Sequence, residues 1–196
     1  MKPFSNYNET QAFSERPALP AGGYVAKIKK AQVRTYSGQN GSFDKLEIAF
    51  DIAEGEYKDF FATDLKSQSG EDKKWKGVLR LYIPTDDGSD RDNTTKSIFK
   101  GNIEAVEDSN NSYHWDWEEK NLTGKTVGVL FRNEEWEYDG KHGWKAQPFK
   151  FIAASKVREG KFTLPKDKPL KNSSVRPQTK APAGYEEIVD DEDVPF

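Results

Sequence analysis

Aromatic rings interleaved with cations are the chemistry this chain repeats most often. Lys27, Arg34 and Tyr36 fall in one segment, Lys45 in the next, Arg80 and Tyr82 in a third, and Trp136, Tyr138, Lys141, Trp144 and Lys145 in a fourth. A ring offers a π-face to a nucleobase and a cation meets a phosphate, so a groove combining them holds single-stranded nucleic acid, each stacked base contributing on the order of 1–3 kcal/mol. The competing reading is that these rings pad the flank of a barrel or an interface between two copies. Glu134, Glu135 and Glu137 count against a phosphate groove on one side of the last segment. Trp115 and Trp117, set among Asp116, Glu118 and Glu119, read as packing against a helix rather than as base platforms.

Catalytic chemistry finds little to work with. Asp86, Asp87, Asp90 and Asp92 are the one carboxylate cluster that suggests Mg²⁺ and a nuclease, but their spacing lacks the Gly and terminal Glu of a Ca²⁺ loop, and such loops are usually solvated turns. There is no Cys for a nucleophile or thiolate metal site, no phosphate-binding Gly-rich loop ending in Lys-Ser/Thr and no Gly-x-Ser-x-Gly. His114 and His142 read as surface histidines. The expectation is a binding protein without metal or cofactor.

The far end of the chain has a different chemistry. Glu186, Glu187, Asp190, Asp191, Glu192 and Asp193 precede Val194, Pro195 and Phe196, the last residue. Like charges hold such a segment out in water, while Phe196 and its α-carboxylate suit a small pocket rimmed by Lys or Arg. The order of acids, aliphatic residue, Pro and Phe resembles the C-terminal tip of bacterial and phage single-stranded-DNA-binding proteins. That resemblance implies docking of replication and repair proteins, such as a helicase, polymerase, primase or recombinase, through Asp190 to Phe196. Residues 166–185, with Pro169, Pro177, Pro182 and few large apolar side chains, read as a disordered linker.

With 196 residues, the chain divides into an N-terminal arm (1–20), one body (21–165), the linker (166–185) and the acidic tail (186–196). The formal charge of −3 is spread unevenly: the body is nearly neutral, the linker basic and the tail acidic. A neutral body weakens the case for nucleic acid, so any such site must arise from local segregation of charge. Five Trp, eight Tyr and twelve Phe exceed what a small core needs, which leaves rings for a surface. No secretory segment or membrane span is evident, so a cytoplasmic protein is expected.

Period-two alternation supplies the elements. Tyr24 to Tyr36 alternates with a phase slip at Lys29-Lys30 that reads as a bulge. After a turn at Ser37 to Gly41, Phe43 to Ala53 alternates with Leu46, Ile48, Phe50 and Ile52 inward and Lys45, Glu47, Ala49 and Asp51 outward. Glu54 to Lys76 admits a short helix or an edge strand. Gly77 to Pro84 is a third strand. A helix from about Thr94 to Asp108 carries an apolar stripe of Ile98, Phe99, Ile103 and Val106. A strand at Thr126 to Arg132 precedes a hairpin of Asn133 to Tyr138 and Gly143 to Ile152 around Asp139-Gly140. Three strands, a helix and two further strands give an all-β fold in the order of an OB-fold, a five-stranded Greek-key barrel with one helix between strands 3 and 4.

The body carries a second resemblance. Pro20-Ala21-Gly22-Gly23-Tyr24-Val25, Lys100-Gly101, Trp115-Asp116-Trp117-Glu118-Glu119-Lys120, Leu122-Thr123-Gly124-Lys125, Val129-Leu130-Phe131-Arg132 and Val157-Arg158-Glu159-Gly160 resemble a family encoded in the replication regions of phages of Gram-positive bacteria. The likeness spans roughly Pro20 to Leu170. Together the two resemblances imply a phage single-stranded-DNA-binding protein acting in host cytoplasm during replication, recombination or repair, without catalysis and with homo-oligomers allowed. The alternative is an adaptor or inhibitor that mimics the tip and never touches DNA.

Overall fold

Alternation produces a long antiparallel hairpin of β1 (Gly22–Gly38) and β2 (Gly41–Ile52). The computed structural model describes residues 5–9, 18–38 and 41–170. Ala26, Ile28 and Ala31 of β1 and Leu46, Ile48, Phe50 and Ile52 of β2 are buried. A register shift between Ile28 and Lys30 is the expected bulge, and it lets Ile28 and Ala31 share a face despite their odd spacing.

The segment that alternation left open forms α1 (Phe60–Ser67). Asp51, at an outward position of β2, is buried because its carboxylate accepts hydrogen bonds from the backbone N–H groups of Phe61 (2.9 Å) and Ala62 (3.1 Å). Those donors have no partner within a helix's first turn, so a buried charge fixes α1 against the sheet.

β3 (Val78–Tyr82) pairs with β2 and is followed by α2 (Asp90–Ser109). The helix starts at Asp90 rather than near Thr94. Ser89 caps it, its Oγ accepting from Asp92 N at 3.1 Å, and Asp90 and Asp92 sit where the helix's positive end favours carboxylates. Phe99, Ile103 and Val106 are buried as the stripe requires, but Ile98 is 49% exposed. Asn102 turns inward instead, and its Oδ1 accepts from Phe151 N at 2.7 Å, which ties α2 to the last strand.

After a 3-10 turn (Glu119–Leu122), β4 (Thr126–Tyr138) runs without a break through what alternation divided into two strands; β5 (Lys141–Ile152) and α3 (Ala154–Arg158) follow. The five-stranded sheet has the order β3-β2-β1-β4-β5, with every neighbouring pair antiparallel. β3 and β5 approach each other but share no ladder, so the sheet is not closed and the expected barrel stays open at that seam. The core centres on Phe50, which meets Phe61 (5.8 Å between centroids), Phe131 and Phe151 (6.1 Å each) edge-on, the geometry aromatic quadrupoles favour.

The chain's last described part crosses the outer face of β1 and β4, and two glycines make room for it. A Cβ on Gly23 would lie 2.7 Å from the Phe162 ring, and one on Gly128 would lie 2.6 Å from Val157. This cover reaches the first half of β1. It does not reach Gln32, Arg34 and Tyr36 of β1, Phe43, Lys45 and Glu47 of β2 or Arg80 and Tyr82 of β3, while α1 covers Asp51 at the other end of β2. Lys168 then bridges Glu134 in parallel: Lys168 N donates to Asn133 O (2.8 Å) and Glu135 N donates to Lys168 O (2.9 Å). The segment expected to be disordered from Lys166 is therefore laid along β4 as far as Leu170. Residues 171–185 of the linker and the tail 186–196 lie outside the described residues, as does most of the arm. No helix among the described residues is long and apolar enough to cross a membrane.

Candidate nucleic-acid interface

Strand register builds the site from three cross-strand rows on the uncovered outer face. Gln32 opposes Glu47, which opposes Arg80; Arg34 opposes Lys45, which opposes Tyr82; Tyr36 opposes Phe43. Opposed residues on one face of a sheet have their Cβ atoms within about 5.5 Å, close enough for rings to meet. Tyr36 and Phe43 stack with centroids 5.8 Å apart and planes 10° apart, and Phe43 reaches diagonally to Tyr82 at 5.5 Å. The Lys45 ammonium sits among them, 4.0 Å from the centroid of Tyr82, 5.4 Å from Phe43 and 5.5 Å from Tyr36, within cation–π range of each ring. All four side chains belong to half-buried residues.

Glu47 organises the neighbouring row. It is buried, and its carboxylate accepts from Tyr36 Oη, from Arg80 Nε at 2.9 Å and from Gln32 Nε2 at 3.3 Å, with Arg34 at 3.7 Å. Burial disfavours its charge, but the hydrogen bonds from Tyr36, Arg80 and Gln32 outweigh it and hold the carboxyl below the usual range. Burial likewise opposes the Arg80 charge, and Glu47 overcomes it, so the guanidinium is held more firmly protonated than an isolated one. With Lys45, Arg34 and Arg80 against one carboxylate, the patch is net positive. Half-exposed rings around a central ammonium can stack bases while the flanking arginines meet phosphates.

Of the predicted site residues, Arg34, Tyr36, Lys45, Arg80 and Tyr82 converge here. Lys27 does not: it is exposed at the far end of the same face, opposite Asp51 on one side and Thr126 on the other. Phe43, Glu47 and Gln32 belong to the site although they were not among the candidates. Outward parity was the signal for all three.

The last hairpin separates residues that were grouped together. Asp139 and Gly140 both have positive φ (50° and 70°), so they form a two-residue turn that opposes Tyr138 to Lys141, Trp136 to Gly143 and Glu134 to Lys145. Trp136, Tyr138, Lys141 and Lys145 therefore share one face with Glu134. Trp144 opposes Glu135 and lies on the other face, with Glu137 and His142. The register thus puts on opposite faces the two tryptophans that the sequence reading had grouped in one candidate site. Tyr138 is 79% exposed and Trp144 45%.

Trp115 packs against the edge of the core, as expected, but Trp117 does not pack against the helix: it is 80% exposed. The Asp86 to Asp92 loop is filled from within. Lys96 Nζ lies 2.8 Å from Asp92 Oδ2 and also binds Asp86, while the Asp86 and Gly88 N–H groups donate to the Asp92 carboxylate. The Lys96 ammonium and these N–H groups outweigh desolvation and keep Asp92 below the usual carboxylate range. Among the described residues, no cluster of three His, Asp or Glu side chains is placed to hold a metal ion. The partner-docking residues Asp190, Asp191, Glu192, Asp193, Val194, Pro195 and Phe196 lie outside the described residues. Compared with known proteins, the sequence matches no family model and no curated protein.

Proposed function

We propose that the protein binds single-stranded DNA without catalysis, through the outer face of β1, β2 and β3. The observation that carries this reading is the ring set Tyr36, Phe43 and Tyr82 with the Lys45 ammonium at its centre. Every base has a π-face, so such a platform binds with little sequence preference. The fold is read as an OB-fold left open at one seam. In that fold, oligonucleotides bind on the strand 2–3 face and at the loops joining strands 1–2 and 4–5. The ring set spans β1, β2 and β3 beside the first of these loops, and Trp136, Tyr138, Lys141 and Lys145 surround the second. The acidic end from Asp190 to Phe196 supports a second role, recruiting replication and repair proteins in the host cytoplasm of a phage-infected cell.

A second reading has an observation in its favour. Glu47 engages both Arg34 and Arg80, and the body's charge is nearly balanced, which suits an adaptor or inhibitor that displays the acidic tip without touching DNA. Titrating labelled oligo-dT with the wild type and with a Tyr36→Ala/Phe43→Ala/Tyr82→Ala variant separates the two. The first reading requires wild-type binding that the variant loses while its circular-dichroism spectrum is unchanged. The second requires no wild-type binding.

A further inference from the structure

Tyr24, half-buried at the start of β1, is fixed on three sides. Its ring meets Tyr57 (5.7 Å between centroids, planes at 79°) and Phe131 (5.5 Å, 84°) edge-on, and its hydroxyl donates to Pro20 O at 2.8 Å. Tyr57 comes from the turn after β2, which Lys58 N closes by donating to Gly55 O at 3.2 Å. The same turn is tied to α3. Arg158 Nε donates to Glu54 Oε2 (3.1 Å) and Arg158 Nη2 to Glu54 Oε1 (2.7 Å), a bidentate pair. Where these three segments meet lies a cleft of about 300 Å³, with Tyr24, Tyr57, Val157, Glu54, Glu56 and Arg158 among its lining residues.

The charges of the cleft decide what it can hold. Among the described residues that line it, Arg158 is the one cation, and Glu54 engages it through both carboxylate oxygens. The hydrogen bonds from Arg158 keep the Glu54 carboxyl below its usual range, so the two charges stay ionised and offset each other. Glu56 has no such partner: it takes part in no ion pair or side-chain hydrogen bond among the described residues. One negative charge is left over. Burial pushes the Tyr24 hydroxyl up to about 12, and Tyr57 and Glu56 add to the shift, so the field of Glu56 reaches the ring. That field repels an anion and gives nothing to a neutral ligand, whereas a cation meets a carboxylate and tyrosine rings together. The volume lies at the lower end of the range for small-molecule sites, enough for one ring and its charged head group.

We propose that this cleft binds a small organic cation, an amidinium, guanidinium or ammonium group carried on one apolar ring or a stem of similar size. The site lies at the start of β1, about 40 Å of strand from Tyr36, and does not depend on whether the β1–β3 face binds DNA. Three probes of one shape test it: benzamidine is cationic, benzamide neutral and benzoate anionic. Each is titrated into the isotope-labelled full chain while the backbone amide NMR shifts of Gly55, Tyr57 and Arg158 are followed. Benzamidine is expected to move these amides saturably and to bind at least about fivefold more tightly than benzamide, and benzoate should leave them in place. Glu56→Gln should weaken benzamidine binding about threefold, as for an exposed charge pair. Glu56→Lys, which puts an ammonium where the carboxylate stood, should abolish it. Glu56 is exposed, so neither replacement should alter the circular-dichroism spectrum. Glu71→Gln removes an exposed carboxylate elsewhere and should change nothing. Benzamide that binds as tightly as benzamidine, a Glu56→Lys protein that binds like the wild type, or amides at Gly55, Tyr57 and Arg158 that stay unmoved would each overturn the proposal.

Discussion

Lys45 and Tyr82 are directly opposed on β2 and β3, and the Lys45 ammonium lies 4.0 Å from the Tyr82 ring centroid. The contact places a positive charge at the middle of a ring surface that would otherwise be a hydrophobic patch. An ammonium parked on a ring keeps donors for a phosphate while its ring keeps an edge and a face for a base. The two residues should therefore contribute different quantities to binding. Replacing Tyr82 with Ala should weaken oligo-dT binding by about 1–3 kcal/mol at any salt concentration. Replacing Lys45 with Gln should chiefly flatten the salt dependence, by about one unit in the log–log slope. Titrations of both variants at several salt concentrations separate the effects.

Glu47 makes the site's preorganisation pH-dependent. Its folded pKa lies below the 4.5 of an unperturbed Glu, so its carboxylate stabilises the fold fully above 4.5 and that contribution is lost as pH falls through the folded value. Glu47→Gln should cost about 1–3 kcal/mol at neutral pH, as expected for hydrogen bonds to a charged group. Urea denaturation across pH should show the two proteins converging below pH 4.5.

Much of this site was legible in the sequence because a strand's period is two. Outward parity alone puts Arg34 and Tyr36 on one face, Lys45 and Glu47 on another and Arg80 with Tyr82 on a third. What parity does not show is which residues stand beside which. The hairpin register decides that Tyr36 meets Phe43, and the β2–β3 register decides that Lys45 meets Tyr82. The tryptophans of the last hairpin show the opposite case. A two-residue Asp139-Gly140 turn already opposes residue 135, not 136, to residue 144, so their separation followed from the turn. Burial of Asp51 was not legible, because it depends on a helix start arriving from ten residues further along the chain.

The two faces of that hairpin should behave differently. Trp136 lies over Gly143, where an added Cβ would fall 3.1 Å from the indole. Gly143→Ala should displace Trp136 and shift its fluorescence without unfolding the protein. If the hairpin joins the DNA site through the face of Lys141 and Lys145, quenching by oligo-dT should persist in Trp144→Phe and diminish in Trp136→Phe.

Lys96 occupies the space between Asp86 and Asp92, so adding EDTA should change neither melting temperature nor DNA affinity. Lys96→Ala should lower the melting temperature, because it leaves the buried Asp92 without its ammonium. A drop of several degrees on chelation of the wild type would indicate a bound metal.

Deleting Val194 to Phe196 should abolish recovery of replication proteins from host lysate and leave oligo-dT affinity unchanged. Equal recovery by the intact and truncated forms would reduce the tail to a solubilising appendage.

The most direct test of the central claim is fluorescence anisotropy of a labelled oligo-dT titrated with the wild-type protein across a series of salt concentrations. DNA binding through the Lys45 patch predicts micromolar or tighter affinity at low salt, falling linearly on a log–log plot as counterions are released. No binding at low salt would contradict it.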